Sequence, residues 1–233
     1  MSSAGTGLQM APAAGLDRRR SPMAYLLHAL NQPLTGLQCL LELALVGHRN
    51  PEDAMRTFEE TLELTARIRL LVEAVREISD IEESAPGPRE LVLIADMLAD
   101  VAQELMPVAE SRHLKLALES SGPLPVLANR QRLSTVVFRL LEAAVSVAEI
   151  GTHLRVVGKE ENVEAVIRLE WPEHATGDPL CRQELGLLLA EAGWRKMGAI
   201  VNEDRAGLNR SLEIRMRLTA DLREVAGMNG DAI

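Results

Sequence analysis

The sequence predicts an α+β chain in two parts, a helical hairpin that pairs with a second copy into a dimeric four-helix bundle, followed by an α/β sandwich. Three observations carry that expectation. Leucines recur at alternating steps of three and four residues through positions 23–45, the seam of a helix packed on other helices. Aromatic residues are 2% of a chain that is 47% hydrophobic, so Leu, Val, Ile, Ala and Met must fill the core. That composition suits helices better than an all-β sandwich. Ala85-Pro86-Gly87-Pro88 then interrupts the pattern, and beyond it helical stretches alternate with short strands.

Residues 1–20, rich in Ser, Gly, Ala and Pro, are expected to form a disordered tail. The hairpin spans 21–84. Its first helix starts at Ser21-Pro22, a capping residue followed by a first-turn proline, and runs to about Val46. Its seam is Met23, Leu27, Leu30, Leu34, Leu37 and Leu41, and Pro33 inside it should kink the helix. Gly47-His48-Arg49-Asn50 breaks the pattern. Pro51-Glu52-Asp53 opens a second helix with acidic residues at its positive end. That helix carries Met55, Phe58, Leu62, Ala66, Leu71, Val75 and Ile78 on one broad face and ends near Ser84. The two apolar faces exceed what two helices cover mutually, and a second copy is the economical partner.

Residues 85–88 form a linker, too rigid and donor-poor for helix or sheet. The second part, 89–219, reads as a strand at 90–93, a helix at 94–112, strands at 114–119 and 123–127, and a strong helix at 130–149. A hairpin at 153–158 and 163–171 turns at Glu160-Glu161-Asn162. A helix at 182–193 and strands at 199–201 and 212–218 follow, then a C-terminal tail at 220–233. One sheet with helices on one face is the expected result.

A net charge of −9 argues against nucleic acid as a partner, which needs a concentrated basic face. Cys39 and Cys181 offer neither a disulfide framework nor metal-ligand spacing, as expected in a reducing cytoplasm. No apolar run reaches the ~18 residues of a membrane span.

Winding the first helix at about 100° per residue places His28 opposite the leucine seam, with Gln32, Thr35 and Cys39 along the same stripe. An exposed histidine one turn before a proline is unusual in a bundle. His28-Ala29-Leu30-Asn31-Gln32-Pro33-Leu34-Thr35-Gly36-Leu37 resembles the phosphoacceptor segment of two-component sensor histidine kinases. The likeness covers His28, Asn31, Gln32, Pro33, Leu34 and Leu37, and departs at Ala29, where the family has Glu or Asp. The second part resembles the same family's ATP-binding domain. Val126 to Ala144 looks like the strand and helix of its asparagine box, and Leu185-Gly186-Leu187 falls where its glycine-rich lid begins a helix.

The resemblance also shows what has been lost. The two asparagine positions that would hold Mg²⁺ are Arg139 and Ala143, removing a hard oxygen ligand. Pro172-Glu173-His174-Ala175-Thr176-Gly177-Asp178 lacks the paired glycines of the adenine-recognition segment. Of the lid glycines Gly186 remains, with the negative charge of Glu184 beside it.

What the resemblance then implies is a cytoplasmic histidine phosphotransferase with no cofactor of its own. His28 would exchange a phosphoryl group with the aspartate of a response-regulator receiver, which brings its own Mg²⁺. Asn31, Thr35 and Cys39 would form the docking stripe, and Gln32 could position water for dephosphorylation. Two alternatives stand beside it: an active sensor kinase with a divergent ATP site, and a non-catalytic dimeric scaffold that sequesters a response regulator. His48, in the turn, is a rival phosphoacceptor that a flexible segment would position poorly.

Overall fold

The structure, a computed structural model, describes residues 21–47, 50–85, 87–172, 182–206 and 209–219. Both tails, His48, Pro86 and the adenine-loop positions 173–181 lie outside the described residues.

Two helices form the hairpin: α1 (Pro22–Val46) and α2 (Pro51–Glu83). At the start of α1, Pro22 takes the first turn, but the Ser21 side chain makes no capping bond. Asn50 caps α2 in its place in the chain, accepting from the Asp53 amide at 2.7 Å, with Glu52 and Asp53 complementing the helix dipole. Helix α1 runs without a break through Pro33, which is buried. The turn's lost hydrogen bond is therefore absorbed within a continuous helix rather than ending it.

The inward face of α1 differs from the expected seam. Leu26, Ala29 and Pro33 are its buried residues, whereas Leu27, Leu34 and Leu41 are 50%, 43% and 52% exposed. On α2, Leu71, Ala74 and Ile78 are buried, and Met55, Phe58 and Leu62 are exposed. One hairpin covers a single flank of each helix, so the heptad-spaced leucines and the first half of α2 present a second apolar flank outward.

The second domain follows as β1 (Glu90–Leu93), α3 (Ile94–Ser111), β2 (Lys115–Ser120), β3 (Pro125–Ala128), α4 (Arg130–Val147), β4 (His153–Glu161), β5 (Glu164–Pro172), α5 (Arg182–Lys196), β6 (Ile200–Ala206) and β7 (Asn209–Arg217). Strands β2-β4-β5-β7-β6 form one sheet, with β2 parallel to β4 and the rest antiparallel. A separate antiparallel pair joins β1 to β3. The single sheet expected is thus two, because β1 and β3 pair with each other near the linker.

Along β5, Ala165, Ile167, Leu169 and Trp171 point into a core shared with Leu98, Leu133, Leu140, Leu187 and Trp194 of the helices. Period-two burial puts the intervening residues on the other face. There Arg155 pairs with Glu119 at 2.9 Å, Arg168 pairs with Glu213, and Arg215 pairs with Glu213 at 2.7 Å. The Arg168 guanidinium holds the Glu213 carboxyl below its ordinary range. Helices therefore cover one face, and charged side chains occupy the other.

The β4–β5 turn is Asn162-Val163, later than expected, with φ of 48° and 65°. A two-residue turn matching strand twist needs φ > 0 at both positions; Asn accepts that readily and the β-branched Val163 does so under strain. Helix α5 also runs past Gly193 to Lys196. Gly193 belongs in the helix because a Cβ there would stand 2.7 Å from Val136 Cγ2.

Candidate functional site

His28, Asn31, Gln32, Thr35 and Cys39 all lie on α1 and are all exposed. Steps of four, three and four residues from His28 keep four of them on one stripe, and Asn31 flanks it one turn along. Thr35 turns its hydroxyl back onto the helix, donating to the Asn31 carbonyl at 2.9 Å. Its oxygen lone pairs stay available while its proton does not. Cys39 is a free, exposed thiol.

Immediately behind this stripe the surroundings are apolar. Ala29 is 4% exposed and shares a cluster with Leu26, Leu71, Ala74 and Ile78, and with Leu185, Leu188 and Ala192 of α5. The position that would carry an acidic side chain in the resembling family therefore lies in a core contact. A carboxylate there would be removed from water without a partner.

The second region of interest is the junction of α2, α4 and α5. Arg139 is tied to the hairpin, its Nη1 donating to Glu77 Oε2 of α2 at 2.7 Å. Ala143 lies under Gly186, where an added Cβ would come within 3.3 Å of the Ala143 methyl. Gly186 is thus part of a helix-on-helix contact, within the helix that the sequence predicts over 182–193. Glu73, Glu77 and Glu142 line the depression that remains here, with Arg139.

Glu184, expected as a charge beside a lid, is buried and bonded bidentately to Arg210 of β7 at 2.5 and 3.1 Å. Arg210 also meets Glu203 of β6 at 2.6 Å, and its guanidinium lies 5.5 Å from the centre of the Trp171 ring. The pair fastens the first turn of α5 to the sheet. Nothing in the sequence announced it, because the partners are 26 residues apart and both read as ordinary surface charges.

Two further polar links hold the second domain to the hairpin and to the linker. Lys196 donates to the Glu82 carbonyl at the end of α2. Asn129 caps α4 by accepting from the Arg132 amide, and its Nδ2 donates to the Pro88 carbonyl of the linker at 3.1 Å. Gly87 lies beside it, where a Cβ would stand 2.6 Å from that amide nitrogen and push the Asn129 side chain aside.

Comparison with known proteins places these features. Residues 18–84 match the His Kinase A (phospho-acceptor) domain family. Among solved structures, the chain is similar to the Acinetobacter baumannii histidine kinase AdeS at 22% identity and TM-score 0.53, over 82% of this chain and 98% of that one. It is similar to full-length ShkA in complex with AMPPNP at 19% identity and TM-score 0.54, over 85% of this chain and 46% of the other. A third likeness is to histidine kinase ThkA in complex with response regulator protein TrrA, at 13% identity and TM-score 0.56, over 85% and 61% of the two chains. No curated protein matches the sequence. Residues 18–84 thus carry a phosphoacceptor hairpin recognised from its sequence, and the second domain has the fold of histidine kinase catalytic domains.

Proposed function

We propose that the chain is a histidine phosphotransferase of a two-component phosphorelay, working as a cytoplasmic homodimer without ATP. His28 exchanges a phosphoryl group with the aspartate of a response-regulator receiver. The observation that carries the reading is the state of α4. The positions at which the family holds Mg²⁺ are a guanidinium bonded to Glu77 and a methyl group packed under Gly186. Neither offers an oxygen to a hard cation, so these residues do not fit the metal.

Phosphoryl transfer from an aspartyl phosphate asks little of the histidine protein beyond position. The unprotonated ring nitrogen of His28 attacks phosphorus and the N–P bond forms. The acyl P–O bond breaks, its electron pair stays on the departing carboxylate, and the ring N–H proton passes to water. An exposed imidazole on a rigid helix satisfies this requirement. Asn31, Thr35 and Cys39 form the docking stripe, and Gln32 can orient a water for hydrolysis of a receiver's phosphoryl group. The similarity to ThkA in complex with TrrA supports a receiver partner. Among the described residues no helix is long and apolar enough to cross a membrane.

The outward apolar flank of Leu27, Leu34, Leu41, Met55, Phe58 and Leu62 supports the homodimer. Mixing the purified protein with phosphorylated receivers tests the reading. The wild type acquires acid-labile phosphate, His28→Ala acquires none, and both elute as dimers. Heat released on titrating Mg-ATP, or autophosphorylation, would favour a divergent kinase. Unaltered receiver control by His28→Ala in cells would favour a sequestering scaffold.

A further inference from the structure

We propose that a cleft where the hairpin meets the second domain binds a small amphipathic anion, a carboxylate or phosphate monoester on a compact apolar body. The cleft has a volume of about 280 Å³ and is formed by the end of α2, the first half of α4 and the second half of α5. Ile81, Val136, Leu189 and Met197 supply its apolar surface. Arg132, Arg139 and Lys196 supply its charge.

The charge is the first argument. The chain has 34 acidic and 25 basic residues, yet among the described residues no carboxylate lines this cleft and three cations do. On the other side of Arg139 the neighbouring depression has the opposite character, with three glutamates. The boundary between them is Arg139, whose bond to Glu77 uses one of five guanidinium N–H donors. An anion entering the basic side is drawn by convergent positive charge in a partly dehydrated setting, where such contacts are strongest.

Shape is the second. The floor is a tight contact between two helices, with Gly193 admitting Val136 against the α5 backbone, so it is formed in advance and cannot collapse inward. At the low end of ligand-pocket volumes, which begin near roughly 300 Å³, it suits a compact acid and excludes a nucleoside triphosphate.

The third argument is placement. Lys196 and Arg139 are the side chains that tie α5 and α4 to α2, through the Glu82 carbonyl and Glu77. An anion held by both competes with those ties and so acts on the junction between the two parts of the molecule. This makes the cleft an effector site, and it does not depend on the phosphotransfer reading.

Calorimetric titration of the full chain with phenyl phosphate, octanoate and inorganic phosphate at low salt tests it. Either organic anion should saturate with a Kd of about 1 mM or tighter, and inorganic phosphate should bind at least about tenfold more weakly. Arg132→Ala should weaken binding about tenfold. That side chain forms no ion pair among the described residues, so its removal leaves the fold intact, as a thermal melt would verify. Lys196→Ala should weaken binding as well. The proposal is overturned if neither organic anion saturates, if inorganic phosphate binds as tightly, or if Arg132→Ala and Lys196→Ala leave the affinity unchanged.

Discussion

At the scale of single residues, Ala29 separates two accounts of why this hairpin departs from the phosphoacceptor pattern it resembles. Loss of the acidic neighbour would be a chemical omission if the position were exposed, but it is buried among leucines and alanines. Restoring the acid as Ala29→Glu should therefore lower stability by roughly 2 kcal/mol or more, the cost of placing a carboxyl group in an apolar contact. It should not confer autophosphorylation. A denaturant melt together with a labelled-ATP assay checks both halves. The exposure of His28, Gln32, Thr35 and Cys39 was legible in the sequence, since helical period alone fixes which residues share a stripe. The burial of Ala29 was not. Which flank of an amphipathic helix a neighbour covers depends on that neighbour, and the α5 residues that cover Ala29 lie far along the chain, from Leu185 onward.

At the scale of elements, α5 accounts for most of what changed between expectation and structure. Its Leu185-Gly186-Leu187 falls where the resembling family's glycine-rich lid begins a helix, and Gly193 is a second glycine further along it. In the fold both are points of contact: Gly186 on Ala143 and Gly193 on Val136. Gly193→Ala adds a methyl 2.7 Å from a β-branched side chain that has little rotamer freedom to retreat. Overpacking of about 1–3 kcal/mol should outweigh the ~1 kcal/mol gained in helix propensity. The double variant Gly193→Ala, Val136→Ala should recover part of that loss, and a double-mutant cycle of unfolding free energies reads the coupling. Gly186→Ala, at 3.3 Å, should be far milder. Strand and helix identities in this domain followed from alternation and period. The pairing of β1 with β3 and the extension of α5 did not, because both are settled by contacts between distant segments.

At the scale of the whole molecule, the hairpin has two different ends. Near its open end, α1 and α2 are fastened to the second domain by an apolar cluster and by Arg139 and Lys196. Toward the turn, Met55, Phe58 and Leu62 are more than 60% exposed in the single chain. Phe58→Glu with Leu62→Glu should convert a dimer to a monomer while leaving the second domain folded. Light scattering coupled to size exclusion reads the mass, and retained near-ultraviolet dichroism of Trp171 and Trp194, both buried in that domain's core, reports its packing. The Glu184–Arg210 pair gives this architecture a direction in time. Replacing Glu184 with glycine, as a first step toward a mobile nucleotide flap, would leave a buried guanidinium with less countercharge and unseat the helix before any phosphate could be held. Any flexible glycine-rich segment gained at this position would therefore first need another partner for Arg210 beside Glu203.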